Sequence, residues 1–231
     1  MIFFGKIKAV AIDGPAGSGK STVARLAAEK LGYRYIDTGA MYRALTLKVM
    51  STGTDLFDEK SIVAVAKTTS IDIPPPEDRR GASKVLLDGR DVSEAIRTME
   101  VTVNVKHVCK LYEVRKKLVA MQRQMAVDSD GSVMEGRDIG TVVLKDARYK
   151  FYIDASFDRR VERRFNEIVA KGGTADKKTV ADDLKLRDHT DKTRDVGPLK
   201  KASDATLIDT TDLDVEEVVN IIVAHVRMDQ V

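Results

Sequence analysis

The sequence predicts an α/β fold: a parallel five-stranded sheet core with helices on both faces. Three observations carry that expectation. Short apolar runs alternate with longer amphipathic stretches, the order of elements in a parallel sheet covered by helices. A glycine-rich loop separates the first apolar run from the first amphipathic stretch. The 231 residues, 43% apolar and 32% charged, suit one globular domain with insertions, or at most two small domains.

The elements follow in order. Lys8–Asp13 reads as the first strand, and Thr22–Leu31 as a helix with Val23, Leu26, Ala27 and Leu31 on one face, ended by Gly32. Tyr33–Asp37 reads as a second strand. Ala40–Ser51 reads as a helix, with Met41, Ala44, Leu45 and Lys48 at helical spacing. Ser132–Glu135, Lys150–Asp154 and Ala205–Asp209 complete the five strands. Asp214 is the expected N-cap of the last helix, with Glu217 three residues on and Val215, Val218, Val219 and Ile222 on its apolar side. Two segments interrupt this rhythm. Ser70–Asp91 carries Ile71-Asp72-Ile73, three prolines (Pro74 to Pro76), Lys84-Val85-Leu86-Leu87 and the turn pair Asp88-Gly89, and predicts a small antiparallel insertion. Phe157–Pro198 is highly charged and contains Gly172-Gly173, the pattern of helical arms joined by a flexible tip, as in a mobile lid.

Composition excludes several classes. No apolar run approaches the ~18 residues of a membrane span, and Met1 to Lys6 is too short for a signal peptide's apolar region. Cys109 is the only cysteine, so no internal disulfide or cysteine metal cluster can form, and a reducing, cytoplasmic setting is expected. The formal net charge is +3, with basic residues interleaved among 36 acidic ones, and only 5% of residues are aromatic; neither suits a nucleic-acid-binding surface. A local excess is more telling. Arg159, Arg160, Arg163 and Arg164 cluster, and Arg187 and Arg194 follow. Such a set suits a small polyanion such as a nucleoside triphosphate, or else a solvated helix face.

The loop Gly14-Pro15-Ala16-Gly17-Ser18-Gly19-Lys20-Ser21 fits G-x-x-x-x-G-K-[ST], the signature of the P-loop NTPases. Its glycines let consecutive backbone N–H groups curl around a phosphate chain. The following helix adds its free N–H groups and the positive end of its dipole. Lys20 is placed to reach the β- and γ-phosphates, and the Ser21 hydroxyl to ligate Mg²⁺. A strand ahead and a helix behind supply the context this motif requires. The loop defines a triphosphate site, not a reaction.

Two further segments are more specific: Asp37-Thr38-Gly39-Ala40-Met41-Tyr42-Arg43, and Glu135-Gly136-Arg137-Asp138-Ile139-Gly140-Thr141-Val142-Val143. Together with the loop through Thr22, with Glu94 to Thr98 and with Arg187 to Arg194, they closely resemble the bacterial cytidylate (CMP) kinases, over nearly the whole chain. The resemblance implies a nucleoside monophosphate kinase fold, with a core (1–36, 96–156, 198–231), a monophosphate-binding arm with its insertion (37–95) and a lid (157–197). It implies transfer of phosphate from ATP, with Mg²⁺, to CMP or dCMP, and a monomer with no membrane or nucleic-acid partner.

Roles carry over residue by residue. Gly14, Pro15, Ala16, Gly17, Ser18, Gly19, Lys20, Ser21 and Thr22 match the ATP-binding loop, with Arg160 and Arg164 as further candidates for a clamp on ATP. Asp37 and Thr38 lie where the family holds the CMP sugar, and Arg43 where an arginine binds the acceptor phosphate. Arg137 and Asp138 match the pair that reads cytosine, in which a carboxylate accepts from the N4 amino group and an arginine donates to ring acceptors. Arg115 matches an arginine near the base. Arg187, Asp191 and Arg194 match lid residues that meet the acceptor phosphate and sugar. Lys20, Arg43, Arg137, Arg187 and Arg194 are the expected catalytic set. Simpler readings stand beside these: Asp37 as a helix cap, Arg137–Asp138 as an internal ion pair, Arg187–Asp191 as a surface pair.

Two positions depart from the pattern on the expected central helix. Lys106 replaces a serine near the base and Tyr112 replaces a proline, which weakens the expectation of cytosine selectivity relative to that of kinase activity. His107, His189 and His225 are scattered, as expected for a reaction whose acceptor is already ionised and needs no general base.

Overall fold

A computed structural model describes residues 8–75, 84–170 and 172–228; Pro76 and the N-terminal segment Met1–Lys6 lie outside the described residues. The first element is β1 (Ala9–Asp13), whose five residues are all buried. Its side chains alternate between two cores. Ala9 and Ala11 face one, Val10 and Ile12 the other, the period of two that a strand covered on both faces requires. The central sheet also contains β2 (Arg34–Asp37), β6 (Ser132–Gly136), β7 (Tyr149–Asp154) and β8 (Thr206–Asp209). Its order is β2-β6-β1-β7-β8 and every pairing is parallel.

The register brings the functional segments to one edge. Asp13 lies opposite Gly136 and Tyr152, and Asp37 opposite Glu135. The chain leaves β1 toward the phosphate loop and β6 toward Arg137-Asp138. This is the carboxyl edge at the point where the strand order reverses, between β1 and β6, where open α/β sheets bind ligands.

Helices cover both faces. On one side lie α1 (Lys20–Leu31) and α8 (Val215–Met228), which pack together and bury Val23, Ala27, Val219 and Ile222 in one core. On the other side, α2 (Thr38–Ser51), α3 (Glu59–Thr68), α4 (Met99–Cys109) and α5 (Tyr112–Val127) enclose the second core around Met41, Leu45, Ile62 and Leu118. The capping box of α8 forms as expected: Glu217 N donates to Asp214 Oδ1 and Asp214 N to Glu217 Oε2, both at 2.8 Å.

Three local differences from the sequence reading have physical causes. Helix α1 begins at Lys20, two residues early, because Gly19 serves as its N-cap with φ 86°. Helix α2 begins at Thr38, because Asp37 caps it by accepting from Ala40 N at 2.9 Å. The expected central helix is two helices. Leu111 is extended (φ −78°, ψ 123°) and buried, so α4 ends at Cys109 and α5 starts afresh at Tyr112.

The insertion is the three-stranded antiparallel sheet β3 (Ile71–Asp72), β4 (Leu86–Leu87) and β5 (Arg90–Asp91). Its hairpin turns at Asp88-Gly89, where both residues have positive φ, as a tight two-residue turn demands. Asp88 fastens it by accepting from Ser70 N at 2.8 Å and pairing with Lys48 of α2 at 2.9 Å. The charged segment forms two helical arms, α6 (Phe157–Ala170) and α7 (Lys177–Thr193). The glycine pair acts there as a helix stop: Gly172 N donates to the carbonyl of Val169 and Gly173 N to that of Ile168. Among the described residues, no helix is long and apolar enough to cross a membrane.

Candidate active site

The phosphate loop runs from the end of β1 to the start of α1. Gly19 offers no side-chain cap to α1, so the first N–H groups of the helix remain available for an anion. Lys20 is buried, and its Nζ donates to the carbonyl of Pro15 at 3.0 Å, lying across the loop. Other loop carbonyls are held from the α6 side. Arg160 donates to Ala16 O at 3.1 Å and Arg163 to Ser18 O at 3.3 Å. Arg163 also donates to Thr210, through Oγ1 at 2.9 Å and the carbonyl at 2.6 Å. Arg160 further pairs with Asp188 of α7 at 2.7 Å, and Ala16 packs against Val161, Val180 and Leu184. Arg160 is thus a buried strut between the loop and both arms, while Arg164 lies farther out, paired with Glu167 on its own helix. Ser21 and Thr22 are exposed at the first turn of α1.

The second group gathers around the end of β6. Asp37 caps α2 and also pairs with Arg43 at 3.1 Å, while the buried Nε of Arg43 has no hydrogen-bond partner among the described residues. The Thr38 hydroxyl donates to the carbonyl of Glu135 at 2.7 Å, and Tyr35 donates to the Glu135 carboxylate at 2.7 Å. Arg137 and Asp138, adjacent in sequence, pair outward rather than with each other. Arg137 Nε donates to Asp191 Oδ2 of α7 at 2.7 Å. Asp138 pairs with buried Arg115 of α5 through Oδ2 and approaches Arg194 at 3.7 Å through Oδ1. The Arg115 guanidinium also lies over the Tyr42 ring, 5.4 Å from its centre. The returning chain crosses this pair at Gly197, where a Cβ would fall 2.3 Å from Arg115 and 2.4 Å from Asp138. Lys106 is exposed on α4, and Tyr112 is exposed at the start of α5.

Charge is concentrated between the two groups. Burial, reinforced by nearby Arg137, pushes the Lys20 ammonium down to about 7. Burial and the same arginine push Arg187 down to about 10, with Arg43 and Arg164 adding to the repulsion. Among the described residues Arg187 makes no ion pair. At Asp191 burial alone would favour the neutral acid, but Arg137, Arg187 and Arg194 together hold its carboxyl below the usual range. Guanidinium and ammonium groups crowded at a buried site repel one another, and a polyphosphate relieves that repulsion.

The structure therefore brings Lys20, Arg43, Arg137, Arg187, Asp191 and Arg194 into one charge cluster, which Asp138 extends to Arg115. Sequence reasoning missed Asp13, Asp188 and Gly197, and named Arg163 only as a member of the arginine cluster. Asp13 and Asp188 had one signal each: a carboxylate ending the strand before the phosphate loop, and a carboxylate next to Arg187. Among the described residues, no three carboxylate, imidazole or thiol groups come together to hold a metal. The hard, exposed hydroxyl of Ser21 suits Mg²⁺, which takes most of its octahedron from phosphate oxygens and water.

A phosphate loop on the central strand of a five-stranded parallel sheet, facing a second arginine-lined site under two helical arms, defines a phosphate-loop kinase. The comparisons narrow the class. The cytidylate kinase family model matches residues 10–228. The cytidylate kinase of Pelotomaculum thermopropionicum is 48% identical over 217 residues, covering 94% of this chain and 95% of that one. That of Lactobacillus gasseri is 48% identical over 210 residues, covering 91% and 90%. The chain belongs to the cytidylate kinase family. A crystal structure of an uncharacterised protein from Eubacterium ventriosum shares the fold, with TM-score 0.51 and 15% identity over 95% of this chain and 98% of that one.

Proposed function

We propose that this enzyme transfers the γ-phosphoryl group of ATP to CMP, and to dCMP, by in-line displacement. The observation that carries the reading is the crowding of Lys20, Arg137 and Arg187, where Arg137, held charged by Asp191, disfavours the charge of both Lys20 and Arg187, and a phosphate offsets that cost. The donor phosphates lie in the loop Gly14–Thr22, against the first turn of α1 and Lys20. Mg²⁺ held by Ser21 and the phosphates would neutralise oxygens of the donor. Arg43 and Arg187 orient the acceptor phosphate, whose ionised oxygen is already a nucleophile, so no side chain need take a proton. Arg137 and Arg194 stabilise the charge that spreads over the transferred group.

Base and sugar are read beside that phosphate. Asp138, oriented by Arg115, accepts from the cytosine amino group; uracil has no such donor. Asp37, Thr38 and Asp191 hold the sugar. The segment 157–197 serves as the lid and 37–95 as the monophosphate arm; lid closure excludes water and so suppresses ATP hydrolysis. We take the enzyme to be a monomer of the reducing cytoplasm, the lone Cys109 being consistent with that setting.

Lys20→Ala tests the donor assignment. Turnover should fall by at least about a hundredfold, the usual loss for one preorganised charge contact, with the far-UV spectrum unchanged. Near-normal turnover would overturn the assignment. A coupled assay for ADP release with CMP, dCMP, UMP and AMP should rank CMP and dCMP first; a preference for UMP or AMP would overturn the base reading.

A further inference from the structure

Asp13 ends β1 immediately before Gly14, yet its carboxylate is turned to the loop that follows β6. It is buried, and its two oxygens are divided between two backbone N–H groups: Oδ1 accepts from Ile139 at 2.7 Å and Oδ2 from Gly140 at 2.8 Å. Those amides open the single helical turn Ile139–Val143, which follows Arg137-Asp138 directly. The turn is short and closed at its far end by Val142, Val143 and Leu144, whose N–H groups donate to the carbonyls of Asp138 and Ile139. A turn of this length cannot hold itself in place. Asp13 fixes its near end from the neighbouring strand.

The connection spans the two substrate sites. Asp13 belongs to the central strand, paired on both sides, and is joined by one peptide bond to the phosphate loop. Arg137 and Asp138 belong to the loop it holds. We infer that Asp13 is a positioning residue that locks the acceptor loop to the donor loop, setting the placement of Arg137 and Asp138 and passing a change at the phosphate loop to them. The inference rests on the base-reading role proposed for Asp138. The carboxylate suits the task because it presents two acceptors at once. An asparagine of the same shape presents one acceptor and one N–H donor, and the donor would face a backbone N–H.

The experiment is Asp13→Asn assayed beside Asp138→Asn. Asp13→Asn should raise KM for CMP on the order of tenfold, the loss expected for one charged hydrogen bond. It should lower the ratio of kcat/KM between CMP and UMP, and leave KM for ATP within about twofold. A lower melting temperature with both KM values and the CMP to UMP ratio unchanged would mean a purely structural residue and overturn the inference. So would a parallel rise in both KM values. If Asp138→Asn erodes base selection and Asp13→Asn does not, the inference alone fails; if Asp138→Asn leaves selection intact, the base-reading assignment fails. Should Asp13→Asn not fold, the wild-type protein still decides. The amide proton resonances of Ile139 and Gly140 should move when a non-hydrolysable ATP analogue is added without CMP, and unmoved resonances would refute the coupling.

Discussion

Two backbone N–H groups hold the Asp13 carboxyl, yet burial outweighs them and pushes its pKa from the ordinary 3.8 up to about 6. Asp138 adds to that push, and Arg137 opposes it. Lys150, also packed near Gly140, has its ammonium engaged elsewhere, by the Lys145 carbonyl and Asp204. The sign follows from the direction of the shift. Between pH 4 and 6 the unfolded chain has lost this proton while the folded chain keeps it, so the contribution of Asp13 to stability falls as pH rises through that window. The fall amounts to about 3 kcal/mol for a shift of this size. Urea unfolding of wild type and Asp13→Asn from pH 4 to 7 should show the wild type losing ground to the variant between pH 4 and 6, then running parallel. A gap that widens in favour of the wild type would contradict the burial argument. The individual motif residues of the loop, of Asp37 to Arg43 and of Arg137-Asp138 were legible because each motif keeps its residues close in sequence. Asp13 was not legible as a partner of Ile139, because the link crosses from one strand to the next through a register that no spacing encodes.

At the scale of elements, the arms α6 and α7 are joined to each other by one buried ion pair and to the phosphate loop by hydrogen bonds from Arg160 and Arg163 and a small apolar cluster. Arg160 links Ala16, Ala155 and Asp188, and Ala16 sits against Val161, Val180 and Leu184. Among the described residues the Asp188 Oδ1 already lacks a hydrogen-bond partner, so removing Arg160 strands a buried carboxylate. Arg160→Met should therefore cost about 3 kcal/mol of unfolding free energy, the usual loss when one member of a buried pair is removed. Arg160→Met combined with Asp188→Leu should recover much of that loss. A double-mutant cycle by urea unfolding measures the coupling, and additive losses would show that the two residues do not act as a pair. The arms themselves were readable from charge and periodicity. The break between α4 and α5 was not. It occurs at Lys110-Leu111 with neither glycine nor proline, because Leu111 is drawn into the core in an extended conformation.

Across the whole molecule, the α7 arm meets both sites at once: it packs on the phosphate loop through Leu184 and holds Arg137 through Asp191. Substrates that bind only the folded chain stabilise it by mass action, about 2.7 kcal/mol at a hundredfold excess over Kd. In a chain of this length that corresponds to a rise of roughly 5–10 °C in melting temperature. A non-hydrolysable ATP analogue and CMP should each produce such a rise in a thermal scan, and Lys20→Ala should lose most of the analogue's effect while keeping that of CMP. Equal shifts with the analogue in wild type and variant would remove Lys20 from the donor site.

By itself, the sequence determined the five strands, the phosphate loop and the family motifs. Those signals are local: alternation of apolar residues, glycine at a turn, residues within a few positions of one another. Only the tertiary structure decided which charges meet. Arg137 pairs with Asp191, Asp138 with Arg115, Arg160 with Asp188, and Asp13 with two amides of the next strand's loop. Each of those contacts closes a long stretch of chain, and its partner is chosen by sheet order and helix packing rather than by sequence spacing.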